Sequence, residues 1–154
     1  MRHLIASTMF LLAGMAQAGA VTVELWNRPG GFTHLHIIEA DRWLASGTKL
    51  VIADWQVSAA AIQVLYFKRK GGNVCYAKSG FSSTPALYFH LGRSRGVATD
   101  DLAHYIGHAN AAKLGKLSSY SFKRFHPSVF GIRACGRNVK VDKRTVSRPS
   151  LMRW

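Results

Sequence analysis

Apolar and less apolar residues alternate in Val21–Trp26 (VTVELW), the pattern of a half-buried strand. Asn27-Arg28-Pro29-Gly30-Gly31 then reads as a turn. Phe32 to Ile38 (FTHLHII) alternates again, which puts Phe32, His34, His36 and Ile38 on one face of a second strand. Glu39 to Gly47 reads as a helical turn or loop, and Lys49 to Asp54 (KLVIAD) as a strand. Ala61 to Lys70 (AIQVLYFKRK) is β-rich and becomes basic. Gly71-Gly72 follows as a two-residue hairpin turn, and Asn73 to Lys78 as the returning strand. Ala86–Leu91 is another strand candidate. Thr99, Asp100 and Asp101 then open the one helix, with Leu102, Tyr105, Ile106 and Ala109 at helical spacing. Gly107 weakens it by about 1 kcal/mol, Gly115 ends it, and Ser128–Cys135 reads as a last strand. The sum predicts a single α+β domain, mainly antiparallel sheet with one helix.

The N-terminus changes the picture by giving an address. Arg2 is followed by the uncharged run Leu4–Ala16 and by Ala16-Gln17-Ala18, the small-x-small pattern of a cleavage site. Residues 1–18 therefore read as a cleavable signal peptide, residues 19–136 as the domain and residues 137–154 as a basic, flexible tail. The apolar run is short of the roughly 20 residues of a transmembrane helix, and no span is expected in the mature chain. After cleavage 20 Lys and Arg stand against 7 Asp and Glu, so the net charge of +14 becomes +13. Such a charge favours anionic surroundings, such as an envelope glycan, lipid head groups or a host component. An exported protein is an alternative partner, and intracellular DNA conflicts with export. Cys75 and Cys135, an even count after a secretory signal, suggest one disulfide. Two free thiols or an intermolecular bridge are the alternatives.

The middle of the chain, about residues 31–81, resembles the VirK family of exported, virulence-associated proteins of plant-associated bacteria. The residues that carry the likeness are Ile52-Ala53-Asp54 with Val57, then Val64-Leu65-Tyr66-Phe67-Lys68-Arg69, the turn Lys70-Gly71-Gly72 and Asn73-Val74. Cys135-Gly136 with Val139 is similar to the late part of that family, whereas the family's early Cys has no counterpart. The resemblance implies export and a role in host interaction. It implies no catalytic residues.

Candidate chemistry is sparse. His34-x-His36, on one strand face, and His104-x-x-x-His108, on one helix face, are workable Zn or Cu ligand pairs. Tyr105 stands where HExxH has its Glu, so a zinc protease of that class finds no support, and the first expectation is no cofactor. His90, His104 and His126 with Lys123 and Arg124 supply the residue types of an RNA hydrolase, without a nuclease spacing. Lys68-Arg69-Lys70 and Lys123-Arg124 lie beside Tyr66, Phe67, Phe122 and Phe125, a mix that suits sugars, lipid head groups and single strands. The carboxylates show no paired spacing, and no serine carries the G-x-S-x-G elbow. The expectation is a small basic periplasmic or secreted bacterial accessory protein, non-catalytic and related to virulence. Its contacts are Lys68, Arg69, Lys70, Lys123 and Arg124. The alternatives are a histidine metal-binding protein and a small secreted RNA hydrolase.

Overall fold

The computed structural model describes residues 21–78, 85–90, 99–118 and 120–136. The expected signal peptide and tail lie outside them.

The chain folds as an α/β domain. β1 (Thr22–Leu25) leads through α1 (Thr33–Ala45) to β2 (Lys49–Ile52). The short β3 (Gln56–Val57) enters α2 (Ala59–Arg69), which returns to β4 (Asn73–Tyr76). β5 (Leu87–Phe89), α3 (Thr99–Ile106), α4 (His108–Leu114) and β6 (Lys123–Phe125) follow. A 3-10 turn (Pro127–Phe130) and β7 (Arg133–Ala134) close the described part. β1, β2, β4 and β7 form one sheet in that order, with every pair parallel. β3, β5 and β6 form a second sheet, parallel between β3 and β5 and antiparallel between β5 and β6.

This overturns the expected antiparallel sheet with one helix. The supposed hairpin across Gly71-Gly72 is the end of a β-α-β unit. Ala59 to Phe67 is buried on every side except at Tyr66, and a helix buried all round shows no apolar stripe, so periodicity cannot separate it from a buried strand. Gly71 (φ 86°) follows the last turn of α2 as a helix-terminating glycine. Gly72 is needed for space, because a Cβ there would lie 2.2 Å from the Phe67 ring. The period-2 pattern of FTHLHII is a coincidence of labels. In α1 His36 is buried while Leu35 and Ile38 are exposed. The expected final strand Ser128–Cys135 begins in the 3-10 turn and has only two residues in β7.

One core holds both sheets together. Leu25, Leu50 and Ile52 of the parallel sheet meet Ala40 of α1 and Val64, Leu65 and Phe67 of α2. Leu87 and Phe89 of β5 join the same cluster, with Phe89 against Phe125 and Phe130 at ring distances of 5.9 and 5.8 Å. On the opposite face of β2, Val51 packs with Cys75, Ala77 and Cys135. Cys75 and Cys135 form a disulfide with a Cα–Cα distance of 5.0 Å. Among the described residues no helix is long and apolar enough to cross a membrane.

Candidate functional site

The loop after β1 and the first turns of α1 and α2 meet at the carboxyl ends of the strands, where open α/β sheets bind ligands. Arg28 is 5% exposed and needs partners. Its Nη2 donates to Glu39 Oε2 at 2.6 Å, its Nη1 donates to Gln63 Oε1 at 3.1 Å, and its guanidinium stacks 5.4 Å from the Trp43 ring. The Gln63 amide donates to the His36 carbonyl and to Glu39 Oε2, both at 2.8 Å. Flipped, its oxygen would face two acceptors, so the orientation is fixed. Gln63 Oε1 therefore accepts from His36 Nδ1 at 3.0 Å, which places the proton of neutral His36 on Nδ1. Burial holds the His36 pKa below its ordinary value; the Arg28 charge adds to this, while the Gln63 bond and Glu39 oppose it. Within this cluster His36 Nε2 is the buried polar atom without a partner among the described residues.

The second sheet presents a different surface. Opposed residues share a face, so the register Val57–Tyr88–Arg124 forms a row across all three strands. The other row, Gln56–Leu87–Phe125, faces the core. The Val57 row points outward: Val57 and Tyr88 are half-buried and Arg124 is exposed. His90 continues that face beyond β5, its ring 4.5 Å from Phe122. Phe122 is 57% exposed and Tyr120, just before it, 89%. The Arg124 side chain makes no hydrogen bond, ion pair or ring contact among the described residues. From Trp55 to Gly136 the chain has only two acids, Asp100 and Asp101. A free guanidinium beside exposed aromatic rings can take an anionic group and stack a ring or sugar against it.

The basic residues read from the sequence are thus separated. Lys68 Nζ lies near Gly131, and Lys70 Nζ sits 5.6 Å from the Tyr66 ring. Arg69 Nη1 donates to the carbonyls of His104 and Tyr105 at the end of α3. Lys123 Nζ donates to the Leu114 carbonyl at 2.7 Å, at the end of α4. Arg69 and Lys123 therefore satisfy helix C-termini, and Arg124 is the member of the two clusters left open on the outer face. The histidine pairs do not converge. In α1 His34 is exposed and His36 buried, because a helix turns two-residue neighbours to different faces. His104 and His108 lie in separate helices on either side of Gly107. No group of three His, Cys, Asp or Glu able to hold a metal is found among the described residues.

The sequence reading missed Arg28, Glu39 and Gln63. A signal was present in Gln63, a lone amide within the apolar run AAAIQVLYF. Phe122 was read only as a neighbour of Lys123-Arg124, and Tyr88 gave no signal, since its place opposite Arg124 depends on β5–β6 pairing. Comparison of the chain with known protein families, with curated proteins and with solved structures gives no match.

Proposed function

We propose that the protein is an exported binding domain that contacts an anionic surface through the outer face of its second sheet. The observation that carries the reading is Arg124, exposed and unpaired among the described residues beside Tyr88, Phe122 and His90. The long stretch with only two acids supports it, because a one-signed surface attracts anions over a Debye length of about 8 Å at physiological salt. The Cys75–Cys135 disulfide supports an oxidising compartment. The VirK resemblance would make the partner a host or envelope component.

The test is sedimentation with vesicles of phosphatidylglycerol and of phosphatidylcholine, and with an acidic polysaccharide, at low and high salt. Binding is expected to at least one anionic probe, to weaken with salt, and to fall at least fivefold in Arg124→Gln. Salt-independent binding that Arg124→Gln leaves unchanged would sink the proposal.

A further inference from the structure

Ser58 sits in the turn between β3 and α2 with φ 53° and ψ −114°. Asn27 is the other non-glycine residue with positive φ among the described residues. Such backbone is strained and persists where the surroundings impose it. Serine before a helix ordinarily accepts a hydrogen bond from the first-turn amides. Ser58 occupies that position in α2, yet its side chain makes no capping bond and has no partner among the described residues. Capping therefore does not account for the strain.

A strained serine on a sharp strand-to-helix turn is the geometry of a nucleophile elbow. The glycine signature is missing because Gln56 and Ala60 occupy the flanking positions. The room comes from elsewhere: a Cβ on Gly30 would lie 2.7 Å from Ser58 Cβ and 3.3 Å from its Oγ. On the adjacent parallel strand, the Tyr88 carbonyl accepts from the Ser58 N–H at 2.7 Å. His90, two residues on, lies at the same end of the sheet and is half-buried. The first α-helical bond of α2 runs from Ile62 N–H to the Ser58 carbonyl, so the Ala59 amide has no intrahelical acceptor. In an elbow the amide after the serine faces the developing oxyanion.

We infer that Ser58 is a nucleophile for carboxylic esters, with His90 as its base. Ser58 Oγ attacks the acyl carbon, the C–O bond forms, and the carbonyl π pair moves onto oxygen beside the Ala59 N–H. His90 takes the hydroxyl proton and passes it to the departing alkoxide as the ester C–O bond breaks, releasing alcohol. Water then attacks the acyl-serine, and its proton returns through His90 to Ser58 Oγ. The carboxylic acid leaves, so ester and water give acid and alcohol.

The experiment uses the full oxidised chain with a fluorophosphonate probe and peptide mass mapping, folding being checked by circular dichroism. An adduct is expected on Ser58, absent in Ser58→Ala, with labelling about 100-fold slower or more in His90→Gln. Ser58→Gly is expected to lose the adduct while its thermal midpoint rises. A folded wild-type protein without the Ser58 adduct overturns the inference, and undiminished labelling of folded His90→Gln overturns the pair. The probe reads the hydroxyl rather than the anionic surface, so it succeeds or fails separately from the vesicle test.

Discussion

The cluster under α1 and the outer face of the second sheet are built from the same kinds of residue, an arginine, a histidine and aromatic rings, but to opposite effect. Arg28 has an acid, an amide and an indole around its guanidinium. The Arg124 guanidinium has no hydrogen-bond or ionic partner among the described residues. His36 is locked by a buried amide, whereas His90 lies tilted against an exposed ring. A buried charge must be matched at every donor, which makes it an anchor for the fold. An exposed charge left unmatched by its own chain is available to a partner.

The contrast predicts a wide separation in stability. Removing the acid in Glu39→Ala leaves Arg28 uncompensated, and denaturant unfolding should show a loss of about 3–5 kcal/mol. Next comes acid sensitivity. The folded pKa of His36 is lowered, so below about 6.5 the unfolded chain binds a proton that the folded chain does not. Stability should therefore fall on acidification from about 6.5 down to the folded value, by up to about 1.4 kcal/mol per pH unit. In His36→Gln this part of the slope should vanish, whatever the loss at neutral pH; an unchanged slope would show that His36 titrates normally. Ser58→Gly should raise stability by about 1 kcal/mol through relief of strain, read as a higher urea midpoint; a lower midpoint would mean the backbone is unstrained. The smallest effect belongs to Arg124→Gln, whose unfolding midpoint should match the wild type even as vesicle binding falls. A clear drop would move Arg124 into the structural class with Arg28.

What the sequence disclosed follows from how far each signal reaches. β1, β2, β4 and β5 were legible as short β-rich runs. Their parallel pairing was hidden, because the helices that force it were themselves read as strands. The Gly71-Gly72 punctuation was visible, but a helix stop and a hairpin turn use the same residues. The cysteines paired as expected because counting them requires no topology. Lys123 and Arg124 were flagged together, yet strand alternation gives one to a helix end and the other to the surface. Ser58 was invisible because the space its turn needs is made by Gly30, far away along the chain.

β7 is held to the rest of the parallel sheet by a ladder only two residues long, Cys75–Arg133 and Tyr76–Ala134. The Cys135 amide adds one bond to the Tyr76 carbonyl. The covalent link to Cys75 lies immediately beyond that ladder. In a reducing compartment that brief ladder would rest on Phe130 and Ile132, buried in the core just before it, so the edge strand is expected to loosen rather than detach. The redox state of the surroundings then sets how firmly the last strand of the sheet is held.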